Sequence, residues 1–273
     1  MTMPFSHLRT PRLAAWLLLA TTIGPASAQP LPEAVQALEK RGLTIVGSLP
    51  NPVGLTAFAG YRGQQSVALY LTPDGRHVIA GTLFDASATD LTSAALHKVV
   101  ATPMSDGPWR QLESSHWVAD GRSDARTVYV FTDPNCPYCN KLWSDARPWV
   151  KAGKVQLRHV IVGILTPTSA GKAAALLASK DPAAMLAAYE GQNAPATASA
   201  LAGGRPRPLG DGALKPLLSI APAQQAQLDA NERLMATLGL QATPAIAWRD
   251  QKGSLQVRQG LPEGGFAAIL GPL

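Results

Sequence analysis

The 273-residue sequence predicts a small α+β unit followed by a larger α/β domain that contains the chemically reactive residues. Three observations support this prediction. Cys136 and Cys139 lie three residues apart, between a predicted strand and a predicted helix. The hydrophobic pattern changes near residue 115, after a segment rich in short strands. The chain is also longer than most single compact domains, and its length is typical of two domains.

The amino terminus has the three parts of a secretory signal. Arg9 and Arg12 supply positive charge, residues 13–24 form an apolar run, and Ala26-Ser27-Ala28 is a small-residue cleavage site. The apolar run is too short for a membrane span, which needs about 20 residues. Cleavage after Ala28 therefore predicts an exported, soluble protein.

The charge and the cysteine content of the sequence argue against two classes of protein. The formal net charge is +6, without a run of lysine and arginine, so the sequence does not indicate a nucleic-acid-binding protein. Two cysteines are too few for a scaffold held together by disulfides. We therefore expect this pair to cycle between dithiol and disulfide.

The amino-terminal unit is predicted to be a helix followed by a meander of strands. The helix covers residues 32–41 and ends at Gly42. Strands are predicted at residues 43–49, 55–61, 66–72 and 76–84. A unit of about 60 residues buries little surface, so we expect a strand edge or an apolar face to pair with a second copy.

A connector follows this unit. Residues 91–100 and 109–117 are predicted as two helices, with a break from Pro103 to Pro108. The composition is neither rich in Gly and Ser nor highly charged, which predicts a semi-rigid spacer rather than a flexible tether.

The cysteine pair is predicted to lie at the start of a helix. Residues 127–131 are β-branched and aromatic and predict a buried strand, whereas residues 139–150 predict a helix with Asn135 as its N-cap. Helix N-termini favour thiolate over thiol. We expect Cys136 to be the nucleophile, and Cys139, further along the helix and less exposed, to resolve mixed disulfides.

Two other roles for the cysteines are less compatible with the sequence. A zinc site needs about four ligands, and the histidines are scattered singly along the chain. A purely structural disulfide would close a very short loop and would constrain the unfolded chain little. We prefer the redox role and predict neither a metal nor a cofactor.

The remainder of the chain completes the fold prediction. A strand at residues 154–163 runs parallel to the first, giving a βαβ unit. The later predicted elements are helices at residues 169–180, 182–191 and 222–238, a loop at 203–208, a hairpin of residues 245–248 and 255–259, and a helix at 262–270. The order βαβ, helical insertion, ββα is that of a thioredoxin fold. A proline that opens a strand is commonly only a boundary residue. In a thioredoxin fold, however, the loop corresponding to Thr243-Pro244 lies beside the reactive cysteine and contains a cis proline, so we expect it to pair with substrate backbone.

With these residues the chain resembles the DsbC/DsbG family of thiol:disulfide interchange proteins over nearly its whole mature length. The segments that carry the resemblance are residues 115–117, 131–139, 146–150, 153–158, 177–182 and 243–246. The dipeptide Pro137-Tyr138 is typical of DsbG-type members, whereas DsbC-type members usually have Gly-Tyr. The absence of further cysteines agrees with the DsbG type.

The resemblance implies a domain layout. Residues 1–28 would be the signal peptide, 29–88 a cystatin-like dimerisation domain, 89–114 a linker helix, and 115–273 a thioredoxin-like domain with a helical insertion at about 168–240. It also implies site roles. Cys136 and Cys139 would be catalytic, Pro137 and Tyr138 would tune them, and Thr243 and Pro244 would bind substrate.

The implied activity is that of a periplasmic, homodimeric disulfide isomerase or reductase. It would act on exported cysteine-containing proteins, reduce cysteine sulfenic acids, bind polypeptides in a chaperone-like way and receive electrons from the membrane reductase DsbD. A dithiol oxidase and a holdase stay open as alternatives. The direction of exchange depends on reduction potential, where roughly 30 mV corresponds to about 1.4 kcal/mol. The two-domain layout favours the isomerase or reductase.

Overall fold

The computed structural model describes residues 30–273, so the predicted signal peptide lies outside the described residues. The described part begins with helix α1 (Glu33–Glu39). Four antiparallel strands follow in the order β1-β2-β3-β4, as the meander pattern predicts. They are β1 (Thr44–Ser48), β2 (Ala57–Arg62), β3 (Gln65–Leu71) and β4 (Val78–Ala80).

The fourth strand is shorter than residues 76–84, and the predicted length is wrong. The chain leaves the sheet after Ala80, and Phe84 forms an isolated bridge with Asp90. The cause is the turn at Asp85, whose side chain accepts hydrogen bonds from the backbone N–H groups of Ser87 and Thr89. A short edge strand of this kind leaves little backbone open for unwanted pairing.

Helix α2 (Ser93–Glu113) is continuous, so the predicted break from Pro103 to Pro108 is wrong. A proline inside a helix costs about 3 kcal/mol. Burial along both halves of the helix offsets this cost. Leu96 and Val100 pack on the first sheet, and Leu112 joins the core of the second sheet.

The second sheet has five strands in the order β5-β7-β6-β8-β9. They are β5 (Trp117–Asp120), β6 (Arg126–Thr132), β7 (Val155–Ile161), β8 (Ala245–Arg249) and β9 (Leu255–Gln259). β6 and β7 are parallel, and the other pairs are antiparallel. Sequence reasoning missed β5, because it assigned Trp117 to the preceding helix.

The helices of this domain are α3 (Pro137–Asp145), α4 (Arg147–Lys151), α5 (Ser169–Leu177), α6 (Pro182–Ala202), α7 (Pro222–Thr237) and α8 (Ala267–Leu270). The predicted helix at residues 139–150 divides at Ala146, where Pro148 cannot donate a backbone hydrogen bond. α6 extends beyond its predicted end, through Pro195. α8 is shorter than predicted, because Gly264 and Gly265 have positive φ angles of 82° and 94°.

These elements form a thioredoxin-like fold in which α5, α6 and α7 are inserted between β7 and β8. The buried core lies on both faces of β6. Across residues 30–273, the helices are all too short or too polar to cross a bilayer.

Candidate active site

The two cysteines lie where β6 passes into α3. Cys136 is the N-cap of α3, with extended backbone angles, and its Sγ accepts a hydrogen bond from the backbone N–H of Cys139 at 3.3 Å. The prediction that Asn135 caps this helix is wrong. The Asn135 side chain turns towards the insertion instead, where its amide donates to the hydroxyls of Thr166 and Thr168.

Both cysteines are free thiols and both are buried, with 2% exposure each. The expected difference in exposure between them is therefore not seen. Their surroundings differ instead: Cys136 contacts the Thr243 loop, whereas the Sγ of Cys139 lies 4.0 Å from the carbonyl oxygen of Phe131 inside the domain. Tyr138, between the two cysteines, is 43% exposed, so the first turn of α3 reaches the protein surface there.

The electrostatic environment distinguishes the two thiols. A hydrogen bond from the Cys139 thiol, together with the Thr243 contact and the N–H groups of Tyr138 and Cys139, outweighs burial and lowers the pKa of Cys136 to about 7. Burial, followed by interaction with Cys136, raises the pKa of Cys139 well above its usual value. At neutral pH a large fraction of Cys136 is therefore thiolate, whereas the adjacent Cys139 is a thiol.

The loop before β8 completes the surroundings of Cys136. The Thr243–Pro244 peptide bond is cis. The Cys136 thiol donates to the carbonyl oxygen of Thr243 at 3.4 Å. The structure thus brings together Cys136, Cys139 and the Thr243-Pro244 loop, which the sequence singled out.

Asp133 organises the loop before Cys136. It is fully buried, and its Oδ1 accepts hydrogen bonds from the Asn135 backbone N–H and the Ser169 hydroxyl. Its Oδ2 accepts from the backbone N–H groups of Ile164 and Leu165. These contacts join the β6–α3 loop to the loop after β7. Sequence reasoning did not assign this role, although an acid directly after a buried strand was a signal for it.

Lys172 and Tyr189, both from the helical insertion, also hold this loop. The Nζ of Lys172 donates to Asn135 Oδ1 at 2.8 Å and to the Leu209 carbonyl oxygen at 2.9 Å. The Tyr189 hydroxyl donates to the Pro134 carbonyl oxygen at 2.6 Å. Both side chains are buried. These contacts were not predicted from the sequence, although a single lysine within the alanine-rich α5 is a signal for a buried polar contact.

Glu190 is a further buried acid beside the cysteines. Its side chain is 1% exposed, and the Asn140 amide donates to its Oε2 at 2.5 Å and to its backbone oxygen at 2.8 Å. Burial raises the pKa of Glu190 to about 7, against the lowering effect of the Asn140 hydrogen bond. Sequence reasoning missed this residue because it lies 51 positions after Cys139 on a different helix.

Possible metal ligands are dispersed in the described part of the chain. Across residues 30–273, no group of three or more His, Cys, Asp or Glu side chains is arranged to hold a metal ion. The chemistry that this site supports directly is that of its two thiols.

Two family models match the chain. The model described as the disulfide bond isomerase protein N-terminal domain matches residues 25–93. The model described as a thioredoxin-like domain matches residues 118–271. The first match covers the four-stranded sheet, and the second covers nearly all of the five-stranded sheet.

Individual relatives match over nearly the full length. The thiol:disulfide interchange protein DsbG of Pseudomonas aeruginosa is 44% identical over 271 residues, covering 97% of this chain and all of the relative. DsbG of Escherichia coli is 40% identical over 248 residues, covering 90% of this chain and 94% of the relative. DsbC of Escherichia coli is 32% identical over 112 residues, covering 39% of this chain and 42% of the relative.

Proposed function

The chain belongs to the DsbC/DsbG family of thiol:disulfide interchange proteins, and from this we propose that it is a disulfide isomerase and reductase of exported proteins. The observation that carries this proposal is the contrast between the two thiols. Cys136 has a pKa of about 7, whereas burial keeps Cys139 protonated beside it. A nucleophile and a second, protonated thiol are what this chemistry requires.

In the proposed reaction, the Cys136 thiolate attacks one sulfur of a substrate disulfide. A mixed disulfide forms, and the other substrate sulfur leaves as a thiolate. Isomerisation follows when a substrate thiolate attacks the substrate sulfur of the mixed disulfide. A new disulfide forms within the substrate, and Cys136 leaves as a thiolate. Reduction follows when Cys139 attacks Cys136, which transfers two electrons to the substrate and leaves the Cys136–Cys139 disulfide.

A cysteine sulfenic acid is the second proposed substrate. The Cys136 thiolate would attack its sulfur, forming the same kind of mixed disulfide and releasing the oxygen as water after protonation. Cys139 would then resolve this intermediate as in disulfide reduction. The shared intermediate supports both activities at one site.

We propose that Thr243 and Pro244 bind substrate backbone beside Cys136. The 3.4 Å contact between Cys136 and the Thr243 carbonyl oxygen supports this role, because a strand lying along the loop would present its cysteine to Cys136. Pro137 and Tyr138 are proposed to tune the site. Pro137 occupies the first turn of α3, and the Tyr138 N–H helps to lower the pKa of Cys136.

Residues 29–88 are proposed to pair two chains, with residues 89–114 as the connector and residues 115–273 as the catalytic domain. The match to the disulfide bond isomerase N-terminal domain supports this layout. Exposed large apolar side chains in the first unit support it further, and they are Val53, Leu55, Ile79 and Phe84. A homodimer would place two catalytic domains on one assembly.

The proposed location is the periplasm, reached with the predicted signal peptide of residues 1–28. There, each reduction leaves the Cys136–Cys139 disulfide, which must be reduced again. We propose the membrane reductase DsbD as the electron donor, through a mixed disulfide with Cys136. The family membership supports this pairing.

A scrambled-disulfide substrate tests the proposed function. The wild-type protein, added in its reduced form, is expected to restore native pairing. Cys136→Ser is expected to abolish this activity, and Cys139→Ala to accumulate mixed disulfides. Full activity of Cys136→Ser would contradict the proposal. Equilibration with glutathione would then separate a reductase from a dithiol oxidase by the fraction of disulfide formed.

A further inference from the structure

Glu190 lies on α6, which packs against the first turns of α3, and its charge interacts with both cysteine thiols. Its carboxyl group is held by the side chain of Asn140, the residue directly after Cys139. Among the ion pairs of residues 30–273, none includes Glu190. A buried carboxyl group without a cation is costly to ionise, so its charge depends strongly on its neighbours.

The charged and titratable neighbours of Glu190 come from four elements. They are Cys136 and Cys139 on α3, Arg147 on α4, Asp120 on β5 and Tyr189 on α6. Arg147 is already engaged, because it pairs with both carboxylate oxygens of Asp120 and lies 4.0 Å over the ring of Trp143. The two thiols are therefore the neighbours whose charge changes during the reaction.

Ionised Cys136 and ionised Glu190 disfavour each other, since both are negative and both are buried. In the reduced protein, a thiolate on Cys136 keeps Glu190 protonated. When Cys136 enters a mixed disulfide, its negative charge disappears and the repulsion ends. Glu190 then ionises more readily, at the stage where Cys139 must lose a proton.

We propose that Glu190 accepts the proton of Cys139 when the mixed disulfide is resolved. This inference rests on the proposed function and assigns the base of its second step. The Glu190 carboxylate takes the proton from the Cys139 thiol, and the Cys139 thiolate attacks the Sγ of Cys136. The Cys136–Cys139 bond forms, the bond from Cys136 to the substrate breaks, and the substrate sulfur leaves as a thiolate with two electrons.

The helical insertion therefore contributes to the chemistry as well as to the fold. Cys139 needs an internal base because it is 2% exposed, and burial disfavours its ionisation. Glu190 has a second role in packing, because its hydrogen bonds with Asn140 fasten α6 to α3. A useful variant must keep these bonds and remove only the acid.

Glu190→Gln meets this requirement, since a glutamine oxygen still accepts from the Asn140 amide. The matched control is Glu232→Gln, which alters a half-buried acid on α7 that accepts from the Gly163 N–H. Glu190→Asp is the conservative variant and should recover part of the rate. Thermal unfolding of each variant checks that the fold is retained.

The rate is measured with an aromatic disulfide that releases a coloured thiolate twice, first on attack by Cys136 and again on resolution by Cys139. We expect Glu190→Gln to slow the second phase roughly 100-fold at neutral pH, as expected for loss of a general base. The wild-type second phase should rise with pH and level off near neutrality. In Glu190→Gln it should continue to rise with hydroxide concentration, and Glu232→Gln should match the wild type.

An infrared difference spectrum between the reduced and oxidised proteins gives a readout independent of rate. The reduced wild type should show a protonated carboxyl band that is absent from Glu190→Gln. The inference is overturned if Glu190→Gln resolves as fast as the wild type across the pH range. If Cys136→Ser still releases the coloured thiolate, the proposed function itself fails, so the two failures are distinguishable.

Discussion

Lys172 donates a hydrogen bond from its Nζ to Asn135 Oδ1 at 2.8 Å, which joins the helical insertion to the residue before Cys136. The same ammonium group also donates to the Leu209 carbonyl oxygen and lies 3.0 Å from Asp211. One buried charge therefore joins two parts of the insertion, α5 and the loop of Leu209 and Asp211, to the loop before Cys136. A buried lysine is retained only when its donors are satisfied, and here they are.

Replacing this lysine should destabilise the protein. Lys172→Met leaves buried acceptors without a donor, so we expect the free energy of unfolding to fall by about 3 kcal/mol. Urea unfolding measures the change. The control is Lys141→Met, because Lys141 forms a partly exposed pair with Asp145 on α3 and its loss should cost less than about 0.5 kcal/mol. Equal losses in the two variants would contradict the role assigned to Lys172.

The difference between the two thiols should appear in their alkylation. In the reduced protein, the rate at which iodoacetamide modifies Cys136 should rise with pH and reach half its maximum near pH 7. Below that pH the rate should fall about tenfold per pH unit, as the thiolate fraction does. Peptide mapping should find Cys139 unmodified at neutral pH.

Cys139→Ala serves as the matched variant for this measurement. It removes the Cys139 thiol, whose hydrogen bond is the largest contribution that lowers the pKa of Cys136. The midpoint for Cys136 should therefore move to higher pH in Cys139→Ala. Equal labelling of both cysteines in the wild type at pH 7 would remove the assignment of nucleophile and resolving thiol.

Local patterns predicted most of the fold. The strand at β6, the presence of a helix after it and the parallel β7 follow from short-range features, namely β-branched residues, a first-turn proline and spacing. The continuous α2 could not be predicted in this way. Pro103 and Pro108 oppose a helix locally, and only packing of α2 on both sheets outweighs them.

Local sequence patterns also fail to predict most of the side chains that surround the cysteines. Cys136 and Cys139 could be predicted as site residues because the spacing of two cysteines three residues apart is itself typical of redox chemistry. Lys172 and Glu190 were not, because their roles depend on contacts across more than 30 residues of sequence with Asn135 and Asn140. Helical and strand periodicity do not encode such contacts. The sequence signal that is left for Lys172 is a single charged residue in an alanine-rich helix.

The first sheet offers a test of the proposed homodimer. Ile79, on the edge strand β4, is 61% exposed as a single chain, so we expect it to be covered by the partner. Ile79→Asp should place a charge in that interface and shift the protein to monomers at micromolar concentration, measured by sedimentation. Leu218→Asp is the control, because Leu218 is fully exposed in the insertion and should leave the assembly unchanged. A dimeric Ile79→Asp protein would place the interface elsewhere.

Glu190 should also make stability depend on pH, and the sign follows from its raised pKa. The folded protein keeps this carboxyl protonated up to about pH 7, whereas the unfolded chain releases the proton near pH 4.5. Stability contributed by Glu190 is therefore present below pH 4.5 and lost as the pH rises to 7. Asp120 acts in the opposite direction and at lower pH. Burial would raise its pKa, but the adjacent His159 and the hydrogen bonds from Arg147 outweigh burial and lower it.

Comparison of the wild type with Glu190→Gln isolates the Glu190 contribution, since Asp120 is common to both proteins. The variant lacks the titrating group, so its stability relative to the wild type should increase by about 2 kcal/mol between pH 5 and pH 7. Urea unfolding of the reduced proteins, kept reduced with a phosphine, measures this difference at each pH. The interval stops at pH 7 because Cys136 is about half ionised there, and its titration would add to the difference at higher pH. A constant difference between the two proteins over this interval would show that Glu190 does not change its protonation state on folding, and the raised pKa assigned to it would be wrong.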